Sequence, residues 1–167
     1  MVRTDSLEGQ VAIVTGGAAG IGGACSSLLA EVGARVLVVD LEAPLHGLAG
    51  PEAKAAEIRA AGGQAEGFAA DISQDADIEA MVDRAVELWG RLDIGVNNAM
   101  WMGKGGPAGG IQGNAVELEE ESWDYAFAVG IKSQYLATKY AVPEMIKVGG
   151  EHGRLLTTFL TGLRFHP

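Results

Sequence analysis

The stretch Gln10-Val11-Ala12-Ile13-Val14-Thr15-Gly16-Gly17-Ala18-Ala19-Gly20-Ile21-Gly22 decides the fold. Its first six residues are a short, uncharged, β-branched run, as expected of a strand buried on both faces. Glycines end the run. From Gly20 to Val32 the apolar residues Ile21, Leu28, Leu29 and Val32 then recur at helical spacing, with Gly33 as a stop. Where a strand passes through glycines into a helix, unpaired N–H groups and the positive end of the helix dipole face outward, and glycine lets a diphosphate approach the backbone. Thr15, Gly16, Gly20, Ile21 and Gly22 are therefore candidate dinucleotide-binding residues. A glycine cluster alone would be an ordinary turn; the order strand, glycines, helix, strand is what makes the signal specific.

Working outward, Ala34–Asp40 is a second continuous apolar strand, so the pattern is βαβ and the strands are expected to be parallel. Asp40 closes that strand 20 residues after Gly20, the separation at which an acid accepts hydrogen bonds from the ribose hydroxyls. NAD is the favoured cofactor, because a carboxylate repels a 2′-phosphate and Ala18, Ala19 and Leu41 offer it no cation. The plainer role for Asp40 is that of a loop cap. Further on, the spacing predicts a helix over Pro51–Ala61, a strand over Gln64–Ala70, a helix over Asp75–Trp89 and a strand over Leu92–Asn97. Glycines and a proline make Met100–Gly113 a loop. A long helix over Ser122–Lys147 and a fifth strand over Arg154–Thr158 follow. Such alternation predicts an α/β fold: a Rossmann-like doubly wound parallel sheet in three layers, strand order 3-2-1-4-5, forming one domain over residues 1–167.

Composition narrows the function. Twelve Lys and Arg stand against 22 Asp and Glu, a net charge of −10, which lacks the basic field that draws proteins onto nucleic acid or anionic lipid. Cys25 has no second cysteine for an intrachain disulfide or a thiolate zinc site, which fits a reducing compartment. No apolar stretch approaches the ~20 residues of a membrane span, and a cytoplasmic location is expected. The partners expected are a nucleotide and a small molecule, with no nucleic acid or membrane.

At this point the chain resembles the short-chain dehydrogenase/reductase family. The T-G-x-x-x-G-I-G signature of that family is matched by Thr15, Gly16, Gly20, Ile21 and Gly22, and Asp71-Ile72 matches its acid-plus-aliphatic pair. Asn97-Asn98-Ala99 matches its N-N-A-G, with Met100 in place of the last glycine. The resemblance implies NAD-dependent hydride transfer between an alcohol and a carbonyl. It also implies that Asp71 and Ile72 contact adenine and that Asn98 orders the backbone beside the cofactor. Without it, Asp71 reads as a helix-capping or turn residue.

The family's catalytic Asn, Ser and Tyr-x-x-x-Lys are not identifiable here. Gly130 stands where the resemblance places the Asn, and Phe159 stands near the Ser position, with Thr158 and Thr161 as nearby hydroxyls. The Tyr-Lys pair belongs after the fifth strand, where only Leu163–Pro167 remain, so the chain reads as the amino-terminal, truncated portion of the family. Tyr135 and Lys139 have the right spacing but precede that strand, in a packing helix, and are not assigned a catalytic role. The expectation is a chain that binds NAD with little or no turnover alone. The alternatives are a non-enzymatic nucleotide-binding or interaction protein, pairing with a second copy through the helix 122–147, or one part of an enzyme completed by another chain.

Overall fold

The computed structural model describes residues 6–42, 49–101, 116–148 and 154–157. Strands β1 (Val11–Thr15), β2 (Arg35–Asp40), β3 (Gln64–Ala69), β4 (Ile94–Asn97) and β5 (Arg154–Thr157) alternate with helices α1 (Gly20–Glu31), α2 (Pro51–Ala60), α3 (Asp75–Trp89), α4 (Glu120–Phe127) and α5 (Ser133–Lys147). All four pairings are parallel and the order is β3-β2-β1-β4-β5, as the alternation predicts.

Because successive strand side chains point to opposite faces, β1 divides its residues between two cores. Val11 and Ile13 join Leu37, Val39, Ile78, Met81, Val82 and Leu136 under α3 and α5. Ala12 and Val14 join Val36, Val38, Ala55, Ile58, Ile94 and Val96 under α1 and α2. Burying a side chain such as Leu37, which is fully enclosed, contributes about 1.5–3 kcal/mol.

Two expectations change. Only part of the apolar set expected on the buried face of α1 lies there: Ile21 is 51% and Leu28 59% exposed, while Leu29 packs on the core beside the buried Gly22, Gly23, Ser26 and Ala30. The fully buried positions of α1 are all small residues. The predicted single helix over 122–147 is α4 and α5 joined by a π-helical turn, Ala128–Lys132, with Gly130 buried at its centre. Among the described residues no helix is long and apolar enough to cross a membrane. The glycine-rich segment 102–115, and Thr158, Phe159 and Thr161, lie outside the described residues.

Candidate functional site

In an open parallel sheet the crevice forms at the carboxyl ends of the strands, where the chain order reverses. Here that point lies between β1 and β4, and it is there that Thr15 and Asn98 meet. The Thr15 hydroxyl donates to the Val96 carbonyl (3.3 Å) and accepts the N–H groups of Asn98 (3.1 Å) and Ala99 (3.2 Å). The Asn98 amide donates back to the carbonyls of Thr15 (3.1 Å) and Gly16 (3.3 Å). This reciprocal clamp ties the glycine turn to the end of β4 and fixes the crevice floor.

The glycines divide into two roles. Gly16 has φ +63°, and a Cβ on it would meet Ala99 Cα and Asn98 Nδ2, both at 2.9 Å; one on Gly22 would stand 2.1 Å from the Gly16 carbonyl oxygen. Both are required by backbone packing. Gly20, at φ +56°, has open space where its Cβ would be, so of the three it is the one not held by packing against the chain itself. Behind the turn, Ser26 donates from one hydroxyl to the carbonyls of Gly17 (3.1 Å) and Gly22 (2.9 Å). Sequence reading missed Ser26, although its i+4 spacing from Gly22 was available as a signal.

The amino end of α1 carries no acidic side chain. Ala19 at its cap gives no side-chain hydrogen bond, so nothing there opposes the positive end of the helix dipole. Ile21 follows at the mouth of the crevice, half exposed. Asp40 faces the same turn: its Oδ2 accepts the Ala18 N–H at 3.1 Å and its Oδ1 the Leu41 N–H at 2.9 Å. An uncapped helix end, open space at Gly20 and a carboxylate beside them fit a dinucleotide.

Asp71 and Ile72 carry folding roles. Asp71 Oδ1 accepts the Ser73 N–H (2.9 Å) and the Asp71 N–H donates to Asp77 Oδ2 (2.8 Å), forming the turn that starts α3, while Ile72 is buried in the core. Tyr125 lies near that turn, edge-on to Trp101 at 5.2 Å. Burial and the Asp71 charge push its hydroxyl pKa above the usual tyrosine value, against the smaller opposing effect of its hydrogen bond with Ser73.

Tyr135 and Lys139 are not brought together at the crevice. Tyr135 is 65% exposed, and Lys139 Nζ donates to the neighbouring Tyr140 hydroxyl at 3.5 Å. That hydroxyl in turn donates to Asp75 Oδ1 (2.8 Å), which holds the Tyr140 pKa above its ordinary value, the wrong direction for a proton donor near neutral pH. Among the described residues no three of His, Cys, Asp and Glu gather to hold a metal.

Comparison with known proteins agrees with this geometry. The profile of the short chain dehydrogenase family matches residues 10–159. A D-threitol dehydrogenase of Mycolicibacterium smegmatis is 36% identical over 144 residues, which cover 86% of this chain and 50% of that protein. A 4-formylbenzenesulfonate dehydrogenase of Comamonas testosteroni is 39% identical over 163 residues, covering 97% of this chain and 59% of that protein. The crystal structure of a hydroxysteroid dehydrogenase from Escherichia coli superimposes with a TM-score of 0.78 at 32% identity, covering 96% of this chain and 59% of that one. The chain spans between 50% and 59% of the length of these relatives. The matched signature, the parallel sheet and the glycine crevice agree: the chain belongs to the short-chain dehydrogenase family.

Proposed function

We propose that this chain holds NAD(H) above the ends of β1 and β4, and that the chemistry it serves is hydride transfer between an alcohol and a carbonyl compound. Bound there, the nicotinamide ring supplies the hydride donor or acceptor, and the protein supplies position and charge. In this reading the backbone around Gly16, Gly20 and Gly22, with the amino end of α1, receives the diphosphate. Asp40 accepts the ribose hydroxyls, Asp71 and Ile72 border the adenine, and the clamp between Thr15 and Asn98 orders the backbone beside the nicotinamide ribose.

Asp40 is the observation that carries the choice of NAD. Its carboxylate is fixed at the glycine turn by the Ala18 N–H, and among the described residues no cation forms an ion pair with it. A 2′-phosphate placed there would meet an uncompensated negative charge. Asp40→Ala is expected to weaken NAD binding roughly 10–100-fold, the worth of one charge-assisted hydrogen-bond pair, and to bring NADP closer to NAD. Calorimetric titration of both nucleotides checks this; tighter binding of NADP than NAD by the unchanged chain would overturn it. Turnover by this chain alone is expected to be negligible. Gly130 brings no side chain to the crevice, and Tyr135 and Lys139 lie elsewhere. NADH oxidation with a ketone, abolished by Asp40→Ala, would contradict that expectation.

One further observation favours pairing with a second copy. Trp123, Phe127, Ile131 and Tyr135 form an exposed stripe along α4, the π turn and α5, with the rings of Trp123 and Phe127 4.6 Å apart. Acids crowd the first end of this stripe (Glu119, Glu120, Glu121, Asp124) and Lys132 and Lys139 follow, with Lys147 beyond them paired to Glu144. Two copies packed antiparallel about a twofold axis would bury the stripe and set acids against lysines. Trp123→Asp is expected to turn a dimer into a monomer with the fold unchanged, measured as mass in solution by light scattering.

A further inference from the structure

β3 is the last strand of the sheet order, and among the described residues only β2 pairs with it. In a parallel ladder alternate residues turn both backbone groups toward the neighbouring strand, and those between turn both away. The Ala70 N–H donates to the Asp40 carbonyl (2.9 Å), which sets the even-numbered residues toward β2 and leaves Ala65 and Gly67 facing outward. Two side chains of α2 meet those outward groups. Arg59 Nη1 donates to the Ala65 carbonyl (2.8 Å), the Gly67 N–H donates to Glu52 Oε2 (3.3 Å), and Arg59 Nη2 closes the ring by donating to Glu52 Oε1 at 2.5 Å. Gly67 makes this reach possible, since a Cβ there would stand 2.4 Å from the Glu52 backbone nitrogen and Cα. A glycine weakens a strand interior, and the close approach of the first turn of α2 explains its place in this one. From Arg59 the charges continue around the edge to Glu66 (3.8 Å), which Arg84 of α3 reaches from the opposite layer, also at 3.8 Å.

We propose that Glu52 and Arg59 plug the outer edge of β3 against strand addition by a second copy of this chain. An added strand has to give an N–H to the Ala65 carbonyl and take the Gly67 N–H on a carbonyl. The guanidinium and the carboxylate already supply that donor and that acceptor, and their own ion pair holds the two together. An open edge is a template for association, and every copy carries the same one, so two copies meeting antiparallel about a twofold axis would extend each other's sheet. An exposed ion pair by itself contributes little to stability. This one differs in that each partner also occupies a backbone group of the edge. The inference stands apart from nucleotide binding, since β3 lies two strands away from the β1–β4 crevice.

The test compares the full chain with the double variant Glu52→Ala, Arg59→Ala, by light scattering and by amide hydrogen exchange at Gly67 over a concentration series. In dilute solution the double variant is expected to exchange at Gly67 about tenfold faster, the loss of one hydrogen bond to a charged acceptor. As concentration rises, its mass is expected to reach about twice that of the unsubstituted chain or more, with protection of Gly67 returning in step. Ala69→Pro added to the double variant is expected to abolish that rise, because position 69 also faces outward and a proline removes its N–H from the edge while leaving the β2 side intact. A double variant whose mass follows that of the unsubstituted chain at every concentration would overturn the proposal. So would a rise in mass that leaves Gly67 unprotected or survives Ala69→Pro. Should the double variant fail to fold, Glu52→Gln with Arg59→Met keeps both stems and is read the same way.

Discussion

Gly22→Ala is expected to abolish nucleotide binding and to destabilise the fold by about 3 kcal/mol or more, at the upper end of overpacking costs. The added Cβ would stand 2.1 Å from the Gly16 carbonyl oxygen, 2.5 Å from Asn98 Nδ2 and 2.8 Å from the Gly16 carbonyl carbon. Two of those atoms are backbone and the third belongs to the clamp with Thr15, so no flexible group can yield. Relief requires α1 to move away from the turn, which breaks the bifurcated bond from Ser26 and opens the cradle. Neighbouring glycines provide the contrast. Gly23→Ala approaches Ala18 only to 3.3 Å and is expected to be mild. Gly20→Ala clashes with nothing in the chain but keeps a left-handed backbone, costing roughly 1–2 kcal/mol, and its methyl enters the space assigned to the diphosphate. Urea unfolding and NAD calorimetry on the three variants separate the packing cost from the binding cost.

Asp93→Ala is expected to cost about 2–4 kcal/mol at neutral pH, as when a buried acceptor of several hydrogen bonds is removed. Asp93 is buried just before β4, and its Oδ2 accepts the Val11 N–H (2.9 Å) and Arg91 Nε (2.8 Å), while Oδ1 accepts Arg91 Nη2 (2.5 Å). The loss falls mainly on the Val11 N–H, left unpaired at the start of the fully buried central strand; Arg91 reaches solvent and recovers its hydration. Burial pushes the Asp93 carboxyl pKa up, but the guanidinium and the N–H together outweigh it and hold the pKa below the ordinary carboxylate value. As pH falls the unfolded chain therefore takes up the proton first. The stability Asp93 contributes is present above its unfolded pKa of about 4 and is lost as pH drops through the lower folded value. Asp93→Asn should show a flatter acid limb than the unsubstituted chain when urea midpoints at pH 7 and pH 3 are compared.

Much of this architecture is legible in the chain because β1, β2 and β4 are short, mostly apolar runs ended by glycine or a polar residue, and the regular alternation of strand and helix points to a doubly wound sheet. The elements at the crevice are legible for the same reason: Gly16, Gly20 and Asp40 sit where a strand hands over to a helix or loop. Three features were hidden. Trp123, Phe127, Ile131 and Tyr135 keep an unbroken four-residue spacing across the π turn, so the pattern reads as one continuous helix. In α1 the fully buried positions are small residues, with Gly22, Gly23 and Ser26 inside and Ile21 and Leu28 outside. The partners of Asp93 are invisible locally because Val11 is 82 residues away.

That last separation also governs how the chain comes together in time. β1 is synthesised first but lies in the middle of the sheet, and its β4 side stays open until residues 94–97 have emerged. During that interval a five-residue, fully buried strand with four apolar residues presents an unpaired edge, the template on which misassembly between nascent chains begins. Parallel pairing over such a distance is intrinsically slow to form. Chaperone dependence should therefore end abruptly as β4 leaves the ribosome and closes the second edge of β1.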